Sequence, residues 1–185
     1  ALIFSEKACT AAGTFTKNIV KAAPVVISEK RINKKIHAIL ANSGNANCCN
    51  GSSGLKAAYS EGQELSRILK LKEDSVLIAS TGIIGKPFPV EKLIAALPEL
   101  VLSLDKNGNK RAKLAIMTTD TFPKEIAVEI VIGGNVVKIG GMAKGAGMIH
   151  PDMATMFCFI TTDANIEETA LDIALKGAVS ESFNS

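Results

Sequence analysis

The sequence predicts a mixed α/β fold, and three observations support that prediction. Helix-like and strand-like patterns alternate along the chain, with no internal repeat and no low-complexity linker. Hydrophobic residues make up 47% of the chain but aromatic residues only 4%, so the core must be built from aliphatic side chains. That composition favours buried strands covered by helices over an aromatic-rich sandwich. At 185 residues the chain is expected to form a single domain, 1–185, of α/β or α+β type.

Three strands, a loop and a helix are predicted in the first part of the chain: strands at 25–27, 36–41 and 75–79, a loop at 42–54, and a helix at 55–71. The loop is rich in Asn, Gly, Ser and Cys, and its apolar residues follow neither the helical nor the strand period. Within 55–71, apolar residues recur near the helical period of 3.6. The strand at 75–79 is predicted to be buried and delivers Ser80, Thr81 and Gly82 at its carboxyl end.

The second part of the chain predicts two helices, four strands and a turn: helices at 90–104 and 167–179, strands at 114–117, 126–132, 136–139 and 155–162, and a turn at 107–109. Pro98 should kink the first helix or divide it. Asn165 is the candidate cap of the second helix. Gly133-Gly134-Asn135 separates two strand-like runs, which predicts a β-hairpin.

Charge and hydropathy argue against two classes of partner. The net charge is only +3, and the one short basic cluster, 30–35, is typical of a solvated connecting segment more than of a nucleic-acid patch. No apolar run approaches the roughly 20 residues needed to span a bilayer. The first residues lack the pattern of a secretory signal. The sequence therefore predicts no nucleic-acid and no membrane partner.

The four cysteines do not predict a metal site. They are Cys9, Cys48, Cys49 and Cys158, they contain no C-x-x-C pair, and only two histidines accompany them. Adjacent Cys48 and Cys49 are poorly placed to bridge each other. Reduced thiols and no bound metal are expected.

Thr155 has the sequence context of a self-cleaving nucleophile. It follows the small residue Ala154 and precedes the apolar run 156–160. Such a residue needs a reachable scissile carbonyl before it and a rigid strand behind it. After cleavage its hydroxyl is the nucleophile and its own α-amine is the base. The alternative is a β-branched residue that begins an ordinary strand.

The residues around Thr155 favour the first interpretation. The stretch 140–156, GGMAKGAGMIHPDMATM, closely resembles the cleavage-site signature of the ornithine acetyltransferases, also called bifunctional glutamate N-acetyltransferases, of arginine biosynthesis. Further blocks resemble the same family in its order along the chain: GTFTKN at 13–18 with APV at 23–25, NSGNAN at 42–47, STGIIG at 80–85 and MTTDTFPK at 117–124.

This resemblance implies the architecture and the assembly of the protein. It implies sheets layered between helices, as in the self-processing aminopeptidase-like fold, and cleavage between Ala154 and Thr155. Family members are about twice as long, so the chain is expected to hold the N-terminal (α-chain) portion and the start of the β chain of a longer protein. The resemblance further implies two α and two β chains in a heterotetramer, located in the cytoplasm or an organelle matrix.

The resemblance also implies the reaction and its residues. The acetyl group would pass from N-acetylornithine to glutamate through an acetyl-threonine at Thr155, with acetyl-CoA as a conceivable second donor and no cofactor. Thr81 and Gly82 match the family's oxyanion hole, while Thr118 and Lys144 match its substrate-binding residues. Without the resemblance, the Thr-Gly pair could be a plain turn and Lys144 a solvated loop charge.

Some residues and alternatives remain open at this point. His150 is a less suitable general base than the α-amine, and neither Asp120 nor Asp152 receives a role. Gly145 and Gly147 permit backbone shapes that would strain or expose the scissile bond, but they equally suit a simple turn. Two other functions stay in competition: a self-processing amidohydrolase that passes the acyl group to water, and a non-catalytic scaffold.

Overall fold

The computed structural model describes residues 1–146 and 155–184, where helices and strands are mixed as predicted. The strands are β1 (Leu2–Cys9), β2 (Ile36–Asn45), β3 (Val76–Ile83), β4 (Lys124–Ile132), β5 (Asn135–Lys144) and β6 (Phe157–Thr162). The helices are α1 (Ala23–Arg31), α2 (Gly51–Leu69), α3 (Val90–Leu102), α4 (Asn109–Ala115) and α5 (Glu168–Ser180). No helix in these described residues is both long and apolar enough to cross a membrane.

The first sheet has the strand order β1-β2-β3. Strands β1 and β2 are antiparallel, whereas β2 and β3 are parallel and stay in register from Ala38 opposite Val76 to Asn45 opposite Ile83. Parallel strands require a crossover connection, and α2 supplies it. The carboxyl ends of β2 and β3 therefore lie side by side.

Helices cover one face of this sheet, and the core lies between these helices and the strands. Alternate residues of β2 and β3 point into the core, as expected for strands with one face against helices. Together with residues of α1, α2 and α3 they form one buried cluster: Ile27, Ala38, Leu40, Ala58, Leu65, Val76, Ile78 and Leu97. The predicted aliphatic core is confirmed.

The predicted strand at 25–27 is wrong, because these residues belong to α1, which covers the free edge of β3. The hydroxyl of Ser28 donates to the carbonyl of Ile78 at 2.7 Å and accepts from the Ile78 N–H at 3.0 Å. Arg31 donates from Nη1 to the carbonyl of Val76 at 3.0 Å. Side chains of a helix thus satisfy backbone groups that would otherwise leave an exposed strand edge.

Other predictions differ from the structure at the ends of elements or in type. The sequence patterns missed β1, which is recognisable only through its pairing with β2. Residues 114–117, predicted as a strand, lie at the end of α4 and just after it. Helix α3 runs without interruption through Pro98. Helix α5 is capped by Glu167, whose carboxylate accepts the N–H of Ala170, and not by Asn165.

The second sheet has the order β4-β5-β6 and is antiparallel throughout. Its first two strands form the predicted hairpin, with Ile132 paired to Asn135 across Gly133 and Gly134. Both glycines have positive φ angles, 56° and 79°, which is the conformation that a two-residue hairpin turn requires. The hairpin prediction is confirmed, and β5 extends beyond its predicted end to Lys144.

Candidate active site

Thr81 and Gly82 lie near the carboxyl end of β3, as the sequence predicted. Thr81 is buried, and its register partner on β2 is Ser43. Within the described residues the Thr81 hydroxyl makes no side-chain hydrogen bond. A hydroxyl held by a strand and not engaged elsewhere can serve as a donor to a developing charge.

Gly82 lies at a very close approach between two strands. It pairs with Gly44 of β2, and both residues have positive φ angles, 130° and 102°. A Cβ atom built on Gly82 would lie 2.3 Å from the carbonyl carbon of Gly44 and 2.6 Å from the N of Asn45. Those contacts are to backbone atoms, which cannot rotate away. Only glycine fits at this position, so the backbone here is rigidly placed.

Lys144 is a buried ammonium at the end of β5. Lys144 is only 2% exposed, and its register partner on β6 is Phe157. The ammonium nitrogen lies 3.4 Å from the Thr118 hydroxyl and 5.6 Å from the centre of the Phe157 ring. Among the described residues no carboxylate lies within ion-pair distance of it. A charge this deeply buried normally requires an anionic partner.

Asp120 holds the backbone around Lys144 and Thr118 together. Its side chain is only 1% exposed. One carboxylate oxygen accepts the N–H of Gly145 at 2.7 Å and the ammonium of Lys124 at 2.7 Å, and the other accepts the N–H of Thr118 at 3.3 Å. No role for Asp120 was predicted from the sequence. Its place between Thr118 and Lys124 in the block TTDTFPK was the available signal.

Electrostatics differ sharply between the two buried charges. Burial alone would raise the pKa of Asp120, but the hydrogen bonds from Lys124, Gly145 and Thr118 outweigh it and lower that pKa to about 2. For Lys144, burial lowers the pKa, and the nearby Lys124 charge adds to this, while Asp120 opposes it. Asp120 is therefore firmly ionised, whereas the Lys144 cation is only partly compensated.

Thr155 precedes β6 and has an unusual backbone conformation. The strand begins at Phe157, two residues later than the predicted start at 155. Thr155 itself is exposed and has a φ angle of 60°. For a β-branched residue this left-handed conformation is rare and costs on the order of 1–3 kcal/mol. Thr155 is two residues from Phe157 in the sequence, and the Phe157 ring lies 5.6 Å from the Lys144 ammonium.

The structure brings some predicted residues together and leaves others apart. Thr118 and Lys144 are in contact. No hydrogen bond or ion pair among residues 1–146 and 155–184 joins Thr81 or Gly82 to them. The connection is indirect: the hydroxyl of Ser43, the partner of Thr81, donates to the Ala115 carbonyl at 2.8 Å, three residues before Thr118.

Several residues considered from the sequence lie outside the described residues. These are Gly147, His150, Asp152 and Ala154. Across the described ranges, no three side chains of the types that bind metals are grouped together. The arrangement as described offers a buried cation, hydroxyl groups, a glycine-restricted strand end and a strained threonine. Those groups suit recognition of a carboxylate and acyl transfer to a hydroxyl.

Comparison with known sequences shows the relationship. The chain matches the ArgJ family over residues 1–185. It is 50% identical over 184 residues to arginine biosynthesis bifunctional protein ArgJ 1 of Clostridium acetobutylicum, covering 99% of this chain and 45% of that protein. It is 45% identical over 185 residues to the ArgJ protein of Caldanaerobacter subterraneus, covering 100% of this chain and 46% of that protein. The chain thus spans about half the length of these relatives.

Solved structures agree. A crystal structure of arginine biosynthesis bifunctional protein ArgJ from Bacillus halodurans superposes with a TM-score of 0.76 at 34% identity, covering 83% of this chain and 81% of that one. Ornithine acetyltransferase from Mycobacterium tuberculosis, solved in complex with ornithine, gives a TM-score of 0.73 at 34% identity, covering 83% of this chain and 82% of that one. These matches confirm the predicted fold class, and together with the sequence matches they place this chain in the ArgJ family.

Proposed function

We propose that the protein to which this chain belongs is a self-processing acetyltransferase that moves the acetyl group of N-acetylornithine to glutamate. Residues 1–154 would form the larger part of its α chain, and Thr155 would be the first residue of its β chain. The names of the relatives support a role in arginine biosynthesis, and one solved relative binds ornithine. The buried Lys144 ammonium beside Thr118 is the observation that carries the proposal.

Processing is the first chemical step. The Thr155 hydroxyl attacks the carbonyl carbon of Ala154, the peptide C–N bond breaks, and water hydrolyses the resulting ester. This frees the α-amine of Thr155. The φ angle of 60° at Thr155 supports this step, because strain in the uncleaved backbone is released when the bond breaks.

Acetyl transfer then uses the freed amine. With a pKa of about 8, an α-amine is a suitable base near neutral pH. It takes the hydroxyl proton as the Thr155 oxygen attacks the acetyl carbonyl of N-acetylornithine. Collapse of the intermediate returns that proton to the departing ornithine amine and leaves an acetyl ester on Thr155. The amine of glutamate then attacks the carbonyl carbon of this ester and gives up a proton to the α-amine of Thr155. The ester C–O bond breaks, the proton passes to the Thr155 oxygen, and N-acetylglutamate is released.

Two groups of residues would assist. Thr81 and Gly82 would donate to the oxyanion that forms in each attack, and the tight packing of Gly82 against Gly44 supports a preorganised arrangement. Lys144 and Thr118 would bind the α-carboxylate shared by both amino-acid substrates. A carboxylate would supply the anionic partner that Lys144 lacks among the described residues, while Asp120 holds the backbone on either side.

The assembly is part of the same proposal: two α and two β chains in a heterotetramer, in the cytoplasm or an organelle matrix. The second sheet exposes apolar side chains such as Ile126 and Val131, and this exposure favours a further layer of protein that covers them. Since the relatives are about twice as long, the remainder of such a protein is the expected cover. Native mass spectrometry of the full-length protein tests the stoichiometry.

One assay tests the reaction. Full-length protein is incubated with N-acetylornithine, with and without glutamate, and the products are identified. We expect N-acetylglutamate and ornithine in equal amounts when glutamate is present. Free acetate at the same rate without glutamate would instead identify an amidohydrolase, and no product would favour a scaffold. Replacing N-acetylornithine by acetyl-CoA shows whether a second donor is used.

A further inference from the structure

Two adjacent thiols lie at the surface between β2 and α2. The Cys48 sulfur is 3.8 Å from the Cys49 sulfur. Cys49 is exposed and Cys48 is half-buried, and both are free thiols. Cys49 has a φ angle of 62°, an uncommon conformation for a residue with a side chain. The backbone thus turns both side chains toward one another.

The peptide group between these cysteines is joined to the segment that follows Gly82. The carbonyl of Cys48, which belongs to the Cys48–Cys49 peptide group, accepts the N–H of Gly85 at 2.9 Å. Further along the same loop, the Asn50 side chain donates to the carbonyl of Lys86 at 3.0 Å. On the other side, the N–H of Ala46 donates to the carbonyl of Ile83 at 3.0 Å. The cysteine loop therefore holds residues 83–86 in place.

We propose that Cys48 and Cys49 form a redox modification site, in which a small hydroperoxide converts the pair into a vicinal disulfide and thereby displaces the strand end that carries Thr81 and Gly82. The effect of this displacement on catalysis rests on the proposed function. Formation of the disulfide and movement of residues 83–86 do not depend on it.

The chemistry balances within the pair. The exposed Cys49 sulfur attacks one oxygen of the peroxide, the O–O bond breaks, and a sulfenic acid and one molecule of water result, or an alcohol from an organic peroxide. The Cys48 sulfur then attacks the Cys49 sulfur, forms the S–S bond and expels the second water. Two thiols lose two electrons and two protons, and the peroxide accepts both. Cys48 is the second thiol to react because it is less exposed, and burial also raises its pKa.

The small ring that a disulfide between adjacent cysteines closes makes it easy to reduce and couples it to the contact with Gly85. The sulfurs must approach from 3.8 Å to about 2.05 Å. Adjacent Cα atoms are about 3.8 Å apart across a trans peptide, which is shorter than the separation that disulfides usually span. The ring therefore strains the peptide group that it encloses, and strained disulfides are readily reduced. The carbonyl of that peptide group is the acceptor for Gly85, so ring closure acts directly on the contact to the Thr81–Gly82 strand.

The test treats reduced full-length protein with hydrogen peroxide. After alkylation of free thiols, we expect the tryptic peptide 36–56 to lack two hydrogen atoms and both alkyl groups, and to regain them with dithiothreitol. Amide exchange of a peptide containing Gly85 should accelerate in the oxidised protein. Acetyl transfer should fall by roughly tenfold or more, toward the hundredfold loss typical of one removed oxyanion donor, and should recover on reduction.

Two variants serve as controls. Cys48→Ser removes one of the two thiols, so no disulfide can form. Peroxide should then leave the amide exchange of the Gly85 peptide unchanged. Cys9→Ser removes an exposed thiol outside the pair and should behave like the wild type. Separate sulfinic acids on both cysteines would overturn the site, and a disulfide with unchanged Gly85 exchange would overturn the coupling. If reduced protein shows no acetyl transfer, the proposed function fails, while the mass and exchange results still decide this inference.

Discussion

The two sheets of this chain are similarly aliphatic but differ in how much of their surface is covered. In the first sheet, Val76 is 0% and Leu40 3% exposed, because helices pack on one face. In the second sheet, Ile126 is 67% and Val131 71% exposed. Residue type therefore does not decide burial. The elements that pack against a strand decide it, and the first sheet has them within this chain.

The proposed active site divides along the same line. Thr81 and Gly82 lie in the first sheet, in close contact with β2. Lys144 and Thr155 belong to the second sheet or adjoin it. Lys144 is buried with no carboxylate partner among the described residues, whereas Thr155 is exposed. We therefore expect substitutions in the first sheet to act on the rate of the chemical step. Near the second sheet, a substitution of Thr155 should act on processing and transfer together, and one of Lys144 on substrate binding.

The largest expected effect is at Thr155. Thr155→Ala in the full-length protein removes the hydroxyl at the scissile bond, so both processing and acetyl transfer should be abolished. Mass spectrometry should find a chain that begins at Thr155 in the wild type and only the uncleaved chain in the variant. Thr155→Ser keeps a hydroxyl and should still be cleaved. A normally processed or active Thr155→Ala protein would refute the nucleophile assignment.

A large but partial effect is expected at Thr81. Thr81→Ala should lower kcat by about a hundredfold or more, since one oxyanion donor is lost, and should leave KM nearly unchanged. Ser80→Ala is the matched control, because the neighbouring Ser80 hydroxyl is buried and has no hydrogen-bond partner in the part of the chain that the structure describes. That variant should retain its activity. A raised KM with kcat intact would reassign Thr81 to substrate binding in the ground state.

At Lys144 the expected effect is on affinity. Lys144→Met keeps the length of the side chain but removes its charge, and should weaken binding of N-acetylornithine by about 1.5–3 kcal/mol. Cleavage involves no substrate carboxylate, so the variant should still be processed. Calorimetric titration measures the affinity. Lys138→Met, at an exposed position on the same strand, is the control and should bind normally. Unchanged affinity in Lys144→Met would mean that this cation does not contact substrate.

The smallest effect on activity is expected at Glu61, where the prediction concerns the pH dependence of stability in the helical layer that covers the first sheet. Glu61 on α2 is buried, one of its carboxylate oxygens has no hydrogen-bond partner among the described residues, and burial raises its pKa to about 8. The folded state then retains a proton that the unfolded state releases above pH 4.5. Stability should therefore be highest below that pH and fall as the pH rises toward about 8, where the loss levels off.

Glu61→Gln tests this dependence. It cannot ionise, so this part of the pH dependence should disappear, and the variant should gain up to a few kcal/mol relative to the wild type at pH 8. Thermal unfolding of full-length protein at several pH values measures the difference. Glu64→Gln, on the same helix, removes a carboxylate whose pKa is lowered by its hydrogen bond from Arg67, so it should keep the wild-type pH dependence above pH 4.5. Equal pH dependence in wild type and Glu61→Gln would show that Glu61 is not the titrating group.

Local patterns predicted those features whose cause is local. The glycine pair at 133–134 predicts its hairpin, because the required φ angles are accessible to glycine. The apolar run before Ser80 predicts β3 and the place of Thr81 near its end. The apolar period after Leu55 predicts α2, but the predicted loop at 42–54 is too long, because β2 continues to Asn45 and α2 begins at Gly51. The motif blocks predict the family, which the comparisons confirm. The roles of individual site residues remain predictions.

Tertiary structure decided what depends on distant partners. Residues 25–27 are apolar enough for a strand, but they form a helix whose Ser28 bonds Ile78, 50 positions away. Asp120 acquires a role only because it accepts the N–H of Gly145, 25 positions away. The burial of Lys144 likewise follows from packing against Thr118 and Phe157. Sequence by itself determines backbone preferences and family membership, whereas hydrogen bonds between remote segments and the dielectric around a charge arise only when the chain is packed.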